Sequence, residues 1–383
     1  MRVYLDNSAT TPLHPEVLEF MCEFNKNHFG NASSLHYIGL EAKDYLENSR
    51  KKIAEMINAE PEEIYFTSGG TEADNLCILG ILKSTLRKRI ITSSIEHEAV
   101  LETFMHLKDE GYEVIILDVD ENGVIDLDML EESVNKDTAL ISVMFANNEI
   151  GTIQPLEKIC EIASKFDIPV HTDAVQAMGK IKIDVRELGI NALSASAHKF
   201  FGPKGVGFVF IEKATKIENI VYGGGHEKGL RSGTENVPGI ATMEKALEIC
   251  IDEMVEHNRK YDLLSSQIKK CLEKIEDYKL NGHPVKRIPG TMSISFKNIN
   301  GEALMEMLSL KGIAISTASA CHSHSEGESV SHVLKSIGLS DEYIYGTIRI
   351  TMGIENTEEE IKYFTDTLEE CVRTLRGLNY SDW

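Results

Sequence analysis

The amino-acid sequence predicts an α/β fold with a large domain, built on a mostly parallel seven-stranded sheet, and a smaller α+β domain. First, 383 residues are enough for one large domain and a smaller companion. Second, between about residues 60 and 210, short β-rich runs alternate with amphipathic segments of helical length. Such alternation is typical of a parallel sheet covered by helices on both faces. Third, this regular alternation stops after Asn281.

Seven runs in the first region have the composition of strands, and several are separated by predicted helices. The predicted strands are residues 63–67, 89–93, 113–117, 139–145, 169–172, 192–195 and 206–211. The predicted helices are residues 72–86, 98–110, 126–135 and 155–165. In open sheets of this kind, ligands bind beyond the carboxyl ends of the strands. Polar motifs that directly follow a predicted strand are therefore candidate site residues.

The rest of the chain predicts a connecting helical stretch and the small domain. Residues 238–275 are predicted to be helical throughout. The predicted strands of the small domain are residues 292–296, 314–316 and 347–351, with a helix at 301–310. Thr357 and Glu360 form a capping-box pattern at the start of a closing helix. We assign residues 16–257 to the large domain, and residues 1–15 and 258–383 to the small one.

The charge and the apolar runs exclude several classes of protein. The formal net charge is −22, from 39 basic and 61 acidic residues, which disfavours binding to nucleic acid or anionic membranes. The apolar runs are too short to span a bilayer, and the N-terminal segment lacks the apolar core of a signal peptide. We therefore expect a cytoplasmic protein that binds neither nucleic acid nor membrane.

The cysteines do not suggest a metal or disulfide framework. There are seven, without a CxxC pair, which argues against a zinc ribbon, a thioredoxin-type site and a disulfide scaffold. Five lie in helix-like apolar patterns and are predicted core residues: Cys77, Cys160, Cys250, Cys271 and Cys371. Cys321 has different surroundings.

The first candidate site is the run TSGGTEADN at residues 67–75, between a predicted strand and a predicted helix. Glycines allow close approach of the backbone to a ligand, and a helix N-terminus presents N–H groups and a positive dipole end. Gly70 and Thr71 are therefore candidate phosphate-binding residues. An ordinary cap of the strand-to-helix turn is the alternative.

The second candidate site is the run VHTDAVQ at residues 170–176, where a strand ends in Asp173. A carboxylate at this point can keep a heteroaromatic nitrogen protonated. Gln176 can donate a hydrogen bond to a nearby oxygen. A cap of the following helix is the alternative interpretation of Asp173.

The third candidate is Lys199, which follows a predicted strand and precedes a turn rich in Gly and Pro. In a dry pocket the pKa of a lysine amine falls, and the amine can form a Schiff base with an aldehyde. Ser196 and His198 flank it and are candidate phosphate donors. A solvated surface charge explains this position poorly.

Together, a phosphate-binding turn, an acid and a lysine at successive strand ends fit the way proteins hold pyridoxal 5'-phosphate (PLP). In this interpretation Asp173 protonates the pyridine nitrogen and so strengthens the cofactor as an electron sink. His97 follows the strand at 89–93 and is a candidate for ring stacking and proton transfer. Asn148 follows the strand at 139–145 and is a candidate partner of the phenolic oxygen or of the substrate.

The fourth candidate is Cys321, in a stretch of small and polar residues that predicts a loop at about 316–331. Nearby His322 or His324 can lower the pKa of an exposed thiol. A loop thiolate can attack sulfur in the active site and then carry it to an acceptor. A free surface thiol is one alternative. A metal site of Cys321, His322 and His324 is another, but a fourth ligand is not evident, and we expect no metal.

The last candidate is Arg349, which lies between apolar residues in the strand-like run GTIRIT at 346–351. Its planar guanidinium suits the α-carboxylate of an amino acid. An internal salt bridge is the alternative.

The ordered motifs resemble those of cysteine desulfurases of the NifS/IscS type, within the class V aminotransferase family of fold-type I PLP enzymes. The resemblance covers nearly the whole chain and rests on YLDNSATTP, FTSGGTEADN, EHEAV, NNEIGTIQP, HTDAVQAMGK, SAHKFFGPKG, GGGHEKGLRSGTENV, STASACHS and IRITMG. It implies an enzyme that converts L-cysteine to L-alanine and passes the sulfur on as a persulfide. Acceptors serving iron–sulfur cluster assembly and acceptors serving tRNA thiolation are both compatible with it.

The resemblance also implies a role for each candidate residue. It places the cofactor on Lys199, the persulfide on Cys321, Asp173 on the pyridine nitrogen, Gln176 near the phenolic oxygen, His97 over the ring, Arg349 on the substrate carboxylate, and Gly70, Thr71, Ser196 and His198 on the phosphate. Thr234 would reach the phosphate in the neighbouring subunit, so the resemblance implies a homodimer.

Two features depart from the family pattern. Residues 326–334, EGESVSHVL, lack the proline expected before the Ser-x-Val-Leu helix, and the cysteine loop is longer by about two residues. His322 also stands where Ser or Thr is usual. Selenocysteine lyase and aminotransferase activities stay open within the same fold. A sulfur-delivery scaffold with an acidic docking surface is the alternative from a different class.

Overall fold

The computed structural model describes residues 1–317 and 330–379. Cys321, His322 and His324 lie outside the described residues. The strands are β1 Val3–Tyr4, β2 Ile64–Thr67, β3 Arg89–Ser93, β4 Glu113–Leu117, β5 Thr138–Ser142, β6 Val170–Asp173, β7 Ala192–Ser196, β8 Gly207–Ile211, β9 Tyr278–Asn281, β10 Thr291–Phe296, β11 Ile313–Ala314, β12 Ser316–Thr317 and β13 Thr347–Thr351.

The helices cover the sheets and connect the strands. They are α1 Pro15–Asn27, α2 Tyr37–Met56, α3 Gly70–Lys83, α4 Glu98–Asp109, α5 Leu127–Ser133, α6 Leu156–Ser164, α7 Val185–Leu188, α8 Val237–Asp252, α9 Met254–Leu272, α10 Gly301–Leu310, α11 His332–Ser336, α12 Asp341–Ile344 and α13 Glu358–Asn379. In the part of the chain that the structure describes, no helix combines the length and apolar character needed to cross a bilayer.

The predicted seven-stranded sheet is confirmed, with the order β2-β8-β7-β6-β5-β3-β4. Its strands are parallel except β8, which is antiparallel to both neighbours. The connection from β7 to β8 covers residues 197–206, which is too short for the crossover that a parallel pair needs. Since β2 and β7 are both antiparallel to β8, they run in the same direction. The carboxyl ends of β2, β3, β5, β6 and β7 therefore meet at one edge of the sheet.

The central strands of the sheet are buried because helices cover both of its faces. Every residue of β5, β7 and β8 is buried. Helices α3 and α4 pack on one face, and α1, α2, α6 and α8 enclose the larger cluster on the other. The five cysteines predicted to be core residues are all buried, whereas Cys22 is exposed.

A second, antiparallel sheet has the order β12-β13-β10-β9 and packs with α9, α10 and α13 around its own apolar cluster. The start of the chain belongs to this cluster through Val3 and Leu5, and β1 pairs with β11 in parallel. The domain boundaries themselves stay a prediction. The capping box is present, because Thr357 N–H donates to Glu360 Oε2 at 3.0 Å and Glu360 N–H to Thr357 Oγ1 at 3.2 Å.

Two elements differ from their predicted form. The predicted helix at 238–275 is two helices, α8 and α9, because Glu253 leaves helical geometry with φ −97° and ψ 3°. The predicted strand at 314–316 is also two short strands. One pairs with β1 and the other with β13, so this segment joins the N-terminal segment to the second sheet.

Candidate functional site

A cavity of about 400 Å³ lies at the edge where the carboxyl ends of the strands meet. Ten of the predicted site residues line it: Gly70, Thr71, His97, Asn148, Asp173, Gln176, Ser196, His198, Lys199 and Arg349. Its volume is in the range of small-molecule and cofactor sites. The structure thus brings together motifs that are spread over most of the sequence.

A larger cavity, of about 660 Å³, opens at the opposite edge of the sheet. It contains none of the predicted site residues. Its cysteine, Cys160, is a poor nucleophile because burial raises the pKa of the thiol to about 12. The chemistry therefore points to the smaller cavity.

Asp173 places a carboxylate at the end of β6, on the wall of the smaller cavity. Its Oδ1 accepts the N–H of Val175 at 2.8 Å, and only 6% of the residue is exposed. Burial raises the pKa of this carboxyl, while the positive charges of His97 and Lys199 and the Val175 N–H act in the opposite direction. A cationic group bound against Asp173 would therefore favour its ionised form.

Lys199 ends the short 3₁₀ turn that follows β7. Its Nζ donates to the carbonyl oxygens of Ser8 at 2.6 Å and Ala9 at 2.8 Å. The N-terminal segment therefore forms a wall of the cavity and holds the amine in place. The sequence analysis missed this wall. The available signal was the polar run DNSATTP, which directly follows an apolar strand at the start of the chain.

Two histidines on the cavity have hydrogen bonds that define their chemistry. His97 Nδ1 accepts the N–H of Ala99 at 3.1 Å and caps α4, so a neutral His97 carries its proton on Nε2. Burial and the charge of Lys199 lower the pKa of His198 to about 4, so its ring is neutral at pH 7. Its Nδ1 lies 3.2 Å from Thr10 Oγ1.

The turn before α3 leaves room that a side chain would fill. Gly69 has φ +151°, a conformation that other residues rarely adopt. A Cβ on Gly70 would lie 2.9 Å from Val175 Cγ2, so only glycine fits between the cavity and that valine. Ser196, at the end of β7, is buried beside this turn. The helix N-terminus with a hydroxyl nearby suits a phosphate group.

Arg349 connects the small sheet to the cavity. Its Nη2 pairs with Asp6 Oδ1 at 2.8 Å, and its Nη1 donates to the Asn148 carbonyl at 3.2 Å. The internal salt bridge considered as an alternative is therefore present. Its Nε is buried and has no hydrogen-bond partner among residues 1–317 and 330–379. Arg349 also lines the cavity, so its guanidinium can contact a substrate carboxylate while it keeps the bond to Asp6.

One of the residues that line the cavity is a buried acid that the sequence analysis did not find. Asp74 in α3 is 1% exposed, and its Oδ1 has no hydrogen-bond partner within the described part of the chain. Burial raises the pKa of Asp74 well above its usual value, and the charges of Asp173 and Glu96 add to this, although Ser194 opposes it. The folded protein therefore disfavours the ionised form of Asp74.

We expect Asp74→Asn to raise the thermal unfolding midpoint by a few degrees at pH 8. An unfolded chain ionises this aspartate above about pH 3.9, and because burial raises the pKa of Asp74 in the folded protein, stability falls as the pH rises above that value. The isosteric amide removes that cost, and the gain should shrink as pH falls towards 4. Thermal unfolding of both proteins from pH 4 to 8 measures it. Equal midpoints throughout would show that Asp74 is ionised in the fold.

Two predicted residues are not part of the cavity. Thr234 is exposed and does not line it, and Cys321 lies outside the described residues. Both ends of the segment that contains Cys321 nevertheless lie near the cavity. Ser316 lines it, and Ser331 donates to Glu149, the neighbour of Asn148, at 2.6 Å. Within residues 1–317 and 330–379, no cluster of His, Cys, Asp and Glu is suited to a metal ion.

Comparison with known proteins decides the family. The model of the class V aminotransferases matches residues 3–364. The chain belongs to the class V aminotransferase family. A cysteine desulfurase IscS from Dictyoglomus turgidum is 47% identical over 380 residues, which are 98% of this chain and 96% of the relative. A cysteine desulfurase IscS from Methanosarcina thermophila is 46% identical and covers 98% and 93%.

Solved structures of similar proteins have the same fold. A NifS-like protein has a TM-score of 0.92 and 41% identity, and the match covers 98% of this chain and all of that one. The structure of SspA in complex with cysteine has a TM-score of 0.80 and 33% identity, covering 91% and 98%. Within its family, the chain is a cysteine desulfurase of the NifS/IscS type and depends on PLP. The resemblance inferred from the motifs is confirmed.

The residues of the cavity fit PLP. A buried carboxylate, a lysine amine and a glycine turn at a helix N-terminus face one space, as a pyridine nitrogen, an aldehyde and a phosphate require. The fit at the turn is specific, because a Cβ at Gly70 would close the space beside Val175.

Proposed function

We propose that Lys199, Asp173 and Arg349 are the groups with which this enzyme converts L-cysteine to L-alanine, and that Cys321 receives the sulfur as a persulfide. The observation that carries the proposal is that an amine, a carboxylate and a guanidinium line one cavity. The amine suits the PLP aldehyde, the carboxylate the pyridine nitrogen, and the guanidinium the substrate carboxylate.

The other lining residues would hold the cofactor. Gln176 and Asn148 supply amides for the phenolic oxygen and the substrate. His97 supplies the imidazole that stacks on the pyridine ring of PLP. The phosphate would lie among Gly70, Thr71, Ser196 and His198, with Thr234 contributed to the site of the partner subunit. When bound, PLP supplies an electron sink for charge that develops at the substrate Cα.

Lys199 is the base that removes the Cα proton. The carbonyls of Ser8 and Ala9 hold its Nζ at 2.6 and 2.8 Å and orient it at the cavity. Arg349 binds the substrate carboxylate and fixes the Cα over the cofactor. His97, with its proton on Nε2, can donate that proton to the substrate.

Cys321 attacks the substrate sulfur as a thiolate. A sulfur–sulfur bond forms and the carbon–sulfur bond of the substrate breaks, and its electron pair stays with the carbon fragment. That fragment takes up a proton at Cβ, regains at Cα the proton that Lys199 removed, and leaves as alanine, while Cys321 keeps the extra sulfur. Cys321 is five positions from Ser316, and five extended residues span at most about 17 Å, enough to reach the cavity that Ser316 lines.

Product analysis tests the reaction. The purified enzyme, loaded with PLP and given L-cysteine, should release alanine in a one-to-one ratio with the sulfur trapped on the protein or transferred to a thiol. Formation of a keto acid instead of alanine would indicate an aminotransferase. A preparation that stays colourless after addition of PLP would favour the sulfur-delivery scaffold.

We expect Arg349→Lys to raise the KM for cysteine about 10- to 100-fold, because an ammonium cannot reproduce the forked contact of a guanidinium with a carboxylate. The spectrum of bound PLP should stay unchanged, and the lysine can keep a charge near Asp6. Steady-state kinetics and absorbance measure the two effects. A lower unfolding midpoint with an unchanged KM would mean that Arg349 serves only the salt bridge.

The proposal includes a cytoplasmic homodimer that hands sulfur to an iron–sulfur scaffold or another acceptor protein. Exposed apolar side chains support a subunit contact, since Phe29, Leu35 and Tyr37 are 73%, 92% and 79% exposed on neighbouring parts of the chain. The exposure of Thr234 outside the cavity is compatible with a role in the partner's site. Sedimentation equilibrium measures whether the protein is a dimer. Weaker PLP binding by Thr234→Ala would support the role of Thr234 in the partner's site.

A further inference from the structure

Lys180 lies beside the cofactor cavity but does not line it. It is four positions after Gln176, and its Nζ donates to Gln176 Oε1 at 3.2 Å. Its backbone carbonyl accepts Asn258 Nδ2 at 3.1 Å, which ties this segment to α9. Lys180 is therefore held behind Gln176, on the side away from the cavity.

The position is an unfavourable one for a cation. Burial lowers the pKa of Lys180 to about 7, and the positive charges of Lys199 and Arg349 contribute, while Cys250 acts slightly in the opposite direction. The Nζ partner is a neutral amide, so Lys180 gains little charge pairing from it. The charged form of Lys180 is therefore disfavoured here, while its Nζ keeps a hydrogen bond to the Gln176 amide oxygen.

The partners of Gln176 select one orientation of its amide. Its Nε2 donates to the Ser8 carbonyl at 3.0 Å, the same oxygen that Lys199 Nζ contacts. A carbonyl oxygen only accepts, so the amide nitrogen must face Ser8. An ammonium only donates, so the amide oxygen must face Lys180. A neutral lysine still has N–H groups to donate to the amide oxygen, so it can keep this contact.

We propose that Lys180 is a positioning residue that fixes the Gln176 amide with its nitrogen towards Ser8 and the cavity. An amide nitrogen has two N–H groups, so one stays available for a cavity oxygen while the other bonds Ser8. The inference rests on the proposed role of Gln176 as a donor to the phenolic oxygen of PLP. Without Lys180, the Ser8 carbonyl is the remaining hydrogen-bond partner of the amide among residues 1–317 and 330–379, and the donor to the cofactor becomes less well placed.

The test is a pH titration of the absorbance of PLP bound to the Lys180→Met enzyme. A donor to the phenolic oxygen stabilises negative charge there and so loosens the proton on the Lys199 nitrogen. Loss of that donor should raise the titration midpoint by about one pH unit, a tenfold change in proton affinity. Lys180→Arg keeps an N–H donor and should recover most of the wild-type midpoint.

A double-mutant cycle separates positioning from a long-range charge effect. In a Gln176→Ala background, Lys180→Met should move the midpoint by less than about a third of its effect in the wild type. An equal shift in both backgrounds would overturn the inference, since Lys180 would then act without Gln176. If Gln176→Ala alone leaves the midpoint unchanged, the proposed role of Gln176 fails instead. If the Lys180→Met enzyme does not bind PLP, Lys180→Gln replaces it in the double-mutant cycle.

Discussion

Lys199→Ala is expected to reduce the conversion of cysteine to alanine by about 10⁴-fold or more. The variant loses both the amine that bonds the PLP aldehyde and the base that removes the Cα proton, and general base catalysis alone contributes about 10²- to 10⁴-fold. The yellow absorbance of bound PLP should be lost or shifted. Alanine production and the absorbance spectrum of the purified variant are the measurements.

Lys204→Ala is the matched control for this prediction. Lys204 is an exposed lysine five positions further along the chain, so the same charge is removed close to the site but not inside it. Its spectrum should match that of the wild type, and its activity should stay within about twofold, as for ordinary surface substitutions. A Lys199→Ala enzyme that kept the wild-type spectrum would place the cofactor on another amine.

Cys321→Ala is expected to lower sulfur transfer at least about 10³-fold and to leave the spectrum of bound PLP unchanged. The thiolate is the nucleophile that breaks the carbon–sulfur bond, and alanine has no group that replaces it. Cys321 is thus expected to separate the chemistry at the cofactor from the chemistry of the sulfur. The measurements are sulfide or persulfide yield with a thiol acceptor, and absorbance before and after addition of cysteine.

Cys22→Ser provides the control, because Cys22 is the exposed cysteine among those in residues 1–317 and 330–379. Trapping of persulfides by alkylation should label the wild type and Cys22→Ser equally and should fail for Cys321→Ala. Wild-type turnover by Cys321→Ala would contradict the proposed persulfide role. Loss of the label in Cys22→Ser would indicate that Cys22, and not Cys321, receives the sulfur.

The ends of the strands could be predicted from the sequence, because the position of each end is determined by a few neighbouring residues. Asp173 directly follows the predicted strand at 169–172, and Lys199 lies between the predicted strand at 192–195 and a turn of Gly and Pro. Parallel strands bring such ends to one edge. The cofactor could therefore be predicted from local sequence, namely from the glycine turn at Gly70 and from the acid and the lysine that follow predicted strands.

Local patterns did not predict which distant groups complete the site. Ser8 and Lys199 are 191 positions apart, and Asp6 and Arg349 are 343 apart. Their contacts arise because β1 pairs with β11 and carries the N-terminal segment across the cavity. No repeat or spacing in the sequence records that pairing.

By itself, the sequence determined the order of the strands and helices along the chain, the residues at the strand ends and the chemistry that they suit. Alternation of apolar residues and the positions of Gly and Pro are local properties, and they specify local structure directly. The tertiary structure alone decided that Asp74 is a buried acid, that Ser8 holds Lys199, and that Lys180 orients Gln176. Burial and hydrogen-bond pairing depend on segments packed from elsewhere in the chain, so neither can be read from neighbouring residues.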